Sequence, residues 1–162
     1  MKTAAMRFGW SKSYSMKIRQ VRAEKESLTE LSARIFEFLT AVYGISPWPV
    51  PYLLADLGRS GATYFLAESA DKIIGLLAIS TVMDEIEITN IAILPDFQGQ
   101  GIASRLLTEL SAFEGVIFLE VRASNIAAQK LYAKFGFETY HTRKNYYENP
   151  REDALLMRKE GN

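Results

Sequence analysis

The stretch that decides the fold is Phe97-Gln98-Gly99-Gln100-Gly101-Ile102-Ala103, a glycine-rich turn between a predicted strand and a predicted helix. Two segments follow it: residues 118–125, where a predicted strand carries Glu120, and residues 131–137, which carry Tyr132. This order places an anion cradle, a carboxylate at a strand end and a helical tyrosine within one compact unit. Such a combination is typical of an active site.

The turn itself predicts a phosphate site. A helix N-terminus preceded by small residues exposes unpaired N–H groups and the positive end of the helix dipole, which together bind a phosphate or pyrophosphate. Gly99, Gly101 and Ala103 keep side chains out of the way, so a ligand can approach the backbone.

Outward from this unit, hydrophobic periodicity predicts an α+β domain: a mixed sheet of about seven strands with helices on both faces. The predicted strands cover residues 16–22, 63–68, 72–82, 85–94, 116–121, 137–147 and 153–159. The predicted helices cover residues 27–44, 51–58, 102–113 and 124–135, the last of them capped by Ser124. Because residues 116–121 are apolar apart from Glu120, we expect that strand to be covered on both faces.

The chain of 162 residues is long enough for one domain with a sizeable core, which we expect at residues 16–160. Residues 1–15 are predicted to be a flexible N-terminal extension, because they are basic, rich in serine and lack an apolar signal-peptide core.

Composition excludes several function classes. Nineteen basic and 19 acidic residues give no net charge, which disfavours direct nucleic-acid binding. The absence of cysteine and the single histidine argue against a metal site, and the lack of cysteine fits a reducing, cytoplasmic location. No apolar run is long enough to cross a membrane, so we expect no membrane partner.

A dinucleotide is the rival ligand for the turn. Gly99-x-Gly101-x-x-Ser104 approximates the GxGxxG fingerprint, and Glu120 lies about 20 residues further on. However, four residues separate the preceding strand from Gly99, whereas the dinucleotide turn follows its strand directly. The repeated βαβ units of a Rossmann fold are also missing, so this interpretation is the weaker one.

The spacing Gln98-x-x-Gly101-x-Ala103 at a strand-to-helix junction resembles the acetyl-CoA pyrophosphate loop of the GNAT superfamily of N-acyltransferases. The similarity extends to Ile91-Ala92-Ile93 before the loop and to Asn125 and residues 131–137 after it. Within the superfamily, residues 119–125, 143–147 and 152–154 look like the bacterial RimI group, which acetylates the N-terminal alanine of a small-subunit ribosomal protein.

The resemblance implies a GNAT fold, acetyl-CoA as cosubstrate, no metal, and a role for each matched residue. Glu120 matches the proton acceptor of the family and Tyr132 its proton donor. Tyr146 and Tyr147 would flank the passage for the acceptor peptide. The implied acetyl-CoA contacts are Ile91, Ala92, Ile93, Gly99, Gln100, Gly101, Ile102, Ala103, Ser104 and Asn125.

The implied chemistry is consistent with the residue types. An α-amine must lose a proton before it attacks a thioester, and a carboxylate can take that proton directly or through water. A phenol can protonate the departing thiolate, and at neutral pH the two groups have the opposite protonation states that these roles require.

Each assignment has a simpler structural alternative. Glu120 could pair with a neighbouring cation at the surface, and Tyr132 could simply pack its ring in the core. Tyr146 and Tyr147 could be ordinary sheet aromatics. Glu85 and Glu87 are expected on a solvated strand face, although either could help to bind an amine.

The sequence therefore predicts a cytoplasmic protein N-acetyltransferase that acts on an N-terminal α-amine, with the N-terminal alanine of a ribosomal protein as the favoured acceptor. Two alternatives stay open: a GNAT enzyme that acetylates a small-molecule amine, and a non-catalytic acyl-CoA-binding module.

Overall fold

Seven strands form one mixed sheet in the order β1-β2-β3-β4-β5-β7-β6. The structure is a computed structural model and describes residues 15–161, so the predicted extension at residues 1–15 lies almost wholly outside the described residues. The strands are β1 (Lys17–Gln20), β2 (Ala62–Ser69), β3 (Lys72–Val82), β4 (Glu85–Ile93), β5 (Val116–Arg122), β6 (Glu138–Tyr147) and β7 (Glu152–Glu160). The helices are α1 (Leu28–Tyr43), α2 (Val50–Leu57), α3 (Ile102–Thr108) and α4 (Ile126–Lys134).

Helix α1 begins and ends where its sequence signals predict. The Ser27 side chain accepts a hydrogen bond from the Glu30 N–H, and Gly44 ends the helix with a φ of 81°. Between these caps the apolar stripe that includes Leu31, Ile35 and Leu39 is buried.

Strands β2 and β3 form the predicted hairpin. Ala70 and Asp71 at its turn have φ angles of 49° and 62°, the pair of positive values that suits the twist of a two-residue hairpin. Strand β3 is buried from Ile73 to Ile79 and contacts both α1 and α3, so helices cover both faces of the sheet. The predicted α+β fold is confirmed.

Strands β4 and β5 lie side by side over only part of their length. They are parallel, and their pairing runs from Glu85–Val116 to Glu87–Phe118 and then stops. On its other edge β4 stays paired with β3 as far as Ile93. The two strands therefore diverge beyond Glu87, and a gap opens in the middle of the sheet.

Three local predictions are wrong. Strand β5 alternates between buried and half-buried residues, so it is covered tightly on one face only. Helix α3 ends at Thr108, not near residue 113, because the N–H groups of Glu109, Leu110 and Ser111 bond three residues back and tighten the chain into turns. The cap of α4 is Asn125, whose side chain accepts from the Ala128 N–H.

Candidate active site

The glycine-rich turn presents a row of free backbone donors. Within residues 15–161, the N–H groups of residues 99–104 have no hydrogen-bond acceptor, and the first bond into α3 is made by the Arg105 N–H to the Gly101 carbonyl. Gly99 and Gly101 have φ angles of 76° and 78°, and a Cβ at either position would meet no atom within 4 Å. The cradle is thus open, and its donor groups fit a phosphate or pyrophosphate.

Two glutamine side chains hold this turn, one by bonding to the end of β4 and the other by bonding to the segment between β4 and the turn. Gln98 Nε2 donates to the Ile93 carbonyl at 3.2 Å, and Gln100 Nε2 donates to the Asp96 carbonyl at 3.4 Å. Gln98 therefore fixes the position of the cradle relative to the strand that borders the gap.

The backbone of β4 lines the gap with two of its three predicted ligand-binding residues. The Leu94 N–H donates to the Ile74 carbonyl, which makes Ile93 and Gly75 a non-hydrogen-bonded pair. By alternation, the backbone groups of Ile91 and Ile93 face the gap, whereas those of Ala92 pair with β3.

Glu120 lies on the half-buried face of β5, two residues beyond Phe118, the last residue of β5 that pairs with β4. Its Oε1 accepts a hydrogen bond from Arg143 Nη1 at 3.2 Å, and the two side chains are 30% and 49% exposed. Glu120 also lines a groove of about 250 Å³ that contains Glu85, Glu87 and Tyr140. The carboxylate is accessible from this groove.

Tyr132 is buried on α4, with 5% of its surface exposed. Its ring packs edge-on against Phe137 with 5.9 Å between centroids. Its hydroxyl has no hydrogen-bond partner among residues 15–161, yet it is not sealed from solvent. Burial raises the pKa of Tyr132 to about 12, with smaller contributions from nearby Tyr43 and Tyr147, so the phenol stays protonated at neutral pH.

Tyr147 lies close to the Glu120 carboxylate. Burial raises its pKa, and the charge of Glu120 adds to that shift. The Arg122 guanidinium lies 4.2 Å above the Tyr147 ring, and the Tyr146 ring meets Tyr147 edge-on at 5.1 Å. Tyr147 thus lies near both Glu120 and Tyr132, whereas Tyr146 is exposed.

Asn125 has one part of its amide already in use. Its Oδ1 caps α4 through the Ala128 N–H at 3.1 Å, which leaves the NH₂ group as the part that can contact a ligand. The structural and ligand-binding roles of this residue are therefore compatible.

Sequence reasoning missed the contact of Arg143 with Glu120, whereas Glu85 and Glu87 are exposed as expected and line the groove. Arg143 reaches Glu120 from 23 positions away because β6 and β5 both flank β7. No local pattern marks such a contact. The signal for Glu85 and Glu87 is their alternation in β4, which places them on the side of the sheet that bears Glu120.

The same topology removes the dinucleotide interpretation. Within the described residues, β4 and β5 are the one parallel neighbour pair, so the repeated parallel units of a dinucleotide fold are not formed. No group of three or more potential metal-ligating side chains occurs in residues 15–161. Over the same range, no helix is long and apolar enough to cross a membrane.

Comparison with known proteins shows one family. Residues 26–137 match the acetyltransferase (GNAT) family. The chain is 36% identical to the N-alpha-acetyltransferase RimI of Mycobacterium tuberculosis over 86% of its own length and 88% of that protein. It is 39% identical to the [ribosomal protein bS18]-alanine N-acetyltransferase of Haemophilus ducreyi, over 76% and 90% of the two chains.

Coverage differs among relatives. A 35% identical uncharacterized protein of Mycobacterium leprae is longer, and the chain spans 38% of it. Among solved structures, the ribosomal-protein-S18-alanine N-acetyltransferase of Escherichia coli superposes with a TM-score of 0.75 at 27% identity, covering 90% of this chain and 93% of that one.

Proposed function

This chain belongs to the acetyltransferase (GNAT) family, and on that premise we propose that it acetylates the N-terminal α-amine of a protein, with acetyl-CoA as the donor. The acceptor that we favour is the N-terminal alanine of a small-subunit ribosomal protein. Two relatives support this choice: the Haemophilus ducreyi protein, 39% identical, and the Escherichia coli structure, both of which are named for alanine acetylation on a ribosomal protein.

The observation that carries the proposal is the position of the open cradle beside the gap between β4 and β5. The free N–H groups of residues 99–104 would hold the pyrophosphate. The backbone groups of Ile91 and Ile93 would bind the pantetheine, and the Asn125 NH₂ group would contact the same arm. Ala92 would support these contacts as the β3-paired residue between them.

Glu120 and Tyr132 would perform the proton transfers. Acetyl-CoA supplies a thioester, which reacts with a neutral amine but not with an ammonium ion. Glu120 accepts a proton from the ammonium group, directly or through water, and Tyr132 donates its hydroxyl proton to the departing sulfur. The second proton that the nitrogen loses restores the Tyr132 hydroxyl through solvent, and Glu120 releases its proton to solvent, so that one proton is released per amide formed. With its pKa at about 12, Tyr132 carries the required proton at neutral pH.

The groove gives the acceptor a route to Glu120. It is open along one side and is bordered by strands, as an extended peptide requires. Arg143, which lines the groove, lies 5.4 Å from the centroid of the Tyr146 ring, and Tyr146 contacts Tyr147. This supports the proposal that the two tyrosines would contact the first residues of that peptide. The cytoplasmic location stays a prediction.

The test is acetylation of a peptide panel that differs only in the N-terminal residue, read by mass spectrometry beside a diamine. We expect acetylation of the alanine peptide at its α-amine. A matched peptide with a blocked N-terminus and an internal lysine should stay unmodified, which separates α-amine from side-chain transfer. Acetylation of the diamine alone would favour a small-molecule acceptor, and acetyl-CoA binding with no product on any amine would favour a binding module.

A further inference from the structure

Arg143 places a cation on the carboxylate that the proposed reaction uses. Its Nη1 donates to Glu120 Oε1 at 3.2 Å. Both side chains are partly exposed, so the ion pair is weak and exchanges readily with other cations. An acceptor ammonium group that comes to Glu120 needs the same carboxylate.

The guanidinium of Arg143 also contacts an aromatic ring. It lies 5.4 Å from the centroid of the Tyr146 ring, which is 46% exposed. The register of β6 against β7 is irregular between Arg143 and Tyr147, and the Asn145 N–H bonds to Asp153 Oδ1 at 2.8 Å instead of joining the regular ladder. Arg143 can therefore leave Glu120 and keep its contact with an aromatic face.

We propose that Arg143 is a positioning residue that occupies, in the free enzyme, the place on Glu120 that the acceptor ammonium group takes. This inference rests on the proposed role of Glu120 as proton acceptor. As the acceptor binds, one cation replaces another on the carboxylate, and Arg143 shifts onto the Tyr146 ring. The carboxylate is therefore held in place with a cation beside it in both states.

The exchange also favours product release. The acetylated N-terminus is a neutral amide and cannot replace Arg143 as a cation on Glu120. When Arg143 pairs with Glu120 again, it displaces the acetylated N-terminus from its binding position. The same competing contact weakens the binding of both the acceptor and the product. The loss of affinity grows with the fraction of enzyme in which Arg143 is paired with Glu120.

The test compares R143Q and R143K with the wild type in steady-state acetylation of the alanine peptide. R143Q should lower the KM of the acceptor by up to about fivefold, the range expected for loss of a weak competing pair. The acetylated peptide should inhibit R143Q more strongly by the same factor. R143K should return both values toward wild type, because a lysine ammonium can still cover Glu120.

R34Q is the matched control. Arg34 forms a pair with Glu68 at 3.4 Å with comparable exposure, 42%, and Glu68 lies in β2, away from the groove. R34Q should leave the KM of the acceptor and the inhibition constant of the acetylated peptide unchanged.

Three results would overturn the exchange. A lower kcat for R143Q with an unchanged KM would mean that Arg143 orients Glu120 during the reaction. Tighter acceptor binding without tighter product binding would mean a long-range charge effect. A wild-type enzyme that acetylates no peptide, but only a diamine, would remove the proposed function and the exchange with it.

Discussion

Two clusters in this molecule contain the same three chemical groups, a tyrosine, a carboxylate and an arginine. In the closed cluster, the Tyr64 hydroxyl donates to Asp56 Oδ2 at 2.5 Å and Arg59 Nε donates to Asp56 Oδ1 at 2.9 Å. The open cluster consists of the candidate-site residues Tyr132, Glu120 and Arg143, with Tyr147 near both Tyr132 and Glu120. Its arginine reaches the carboxylate, but its tyrosine hydroxyl has no partner within residues 15–161.

The difference separates a structural use of these groups from a chemical one. Tyr64 and Asp56 are 2% and 8% exposed, and each satisfies the hydrogen bonding of the other, which stabilises the fold. Tyr132 is almost as deeply buried, at 5%, yet its hydroxyl contributes no such bond. A polar atom that is left free in a candidate site is available to a substrate. A substitution in the closed cluster should therefore lower the free energy of unfolding, and a substitution in the open cluster should lower kcat.

The largest effect is expected for Glu120→Gln. The amide keeps the shape of the side chain but is a far weaker base, so kcat should fall about 10³-fold, within the range typical of general-base removal. Acetyl-CoA affinity, measured by calorimetry, should stay within about twofold, because no implied acetyl-CoA contact is changed. Turnover near that of the wild type would remove Glu120 from its role and would leave the open cluster without a base.

Tyr132→Phe should lower kcat about 10²-fold. We expect less than for Glu120 because a thiolate is already a fair leaving group, with a thiol pKa of about 8.5 in model compounds. The free energy of unfolding should be almost unchanged, since the Tyr132 hydroxyl makes no hydrogen bond within the described residues. Chemical denaturation and kinetics on the same preparation would check both statements. A large loss of stability would show that this hydroxyl is structural, as in the closed cluster.

Tyr64→Phe should give the opposite result. The substitution removes the hydroxyl that donates to buried Asp56, and Arg59 alone remains bonded to the carboxylate. We expect a loss of about 2 kcal/mol in the free energy of unfolding, the usual cost of an unsatisfied buried acceptor. The kcat of the folded enzyme should match the wild type. If kcat also falls more than about twofold, the two clusters are coupled.

The sequence predicted the elements whose signals are local. The Ser27 and Gly44 caps of α1, the Ala70-Asp71 turn and the glycine-rich cradle each lie within a few residues of the structure that they specify. The GNAT fold, and the candidate residues Glu120 and Tyr132, followed from the family resemblance that such segments carry. Their assigned roles stay predictions.

What the sequence did not predict depends on register and topology. Asp56 and Tyr64 form a pair because α2 packs on β2, and Arg143 meets Glu120 because β7 lies between β5 and β6. Both contacts cross elements, so neither leaves a periodic pattern. The cap of α4 was misplaced by one residue because Ser124 and Asn125 are both good capping residues, and it is the Asn125 side chain that accepts from the Ala128 N–H at 3.1 Å.

The smallest expected effect is a loss of stability at alkaline pH. Burial raises the pKa of Tyr132 from 10.0 to about 12, so between these values the folded chain keeps a proton that the unfolded chain has lost. The contribution of Tyr132 to the free energy of unfolding is fully present below pH 10. It is lost as the pH rises from 10 toward 12, at about 1.4 kcal/mol per pH unit. Urea denaturation at pH 9, 10 and 11 should show the wild type losing stability faster than Tyr132→Phe, in which Tyr64 still titrates. Parallel curves for the two proteins would mean that the Tyr132 hydroxyl is as well solvated in the folded chain as in the unfolded one.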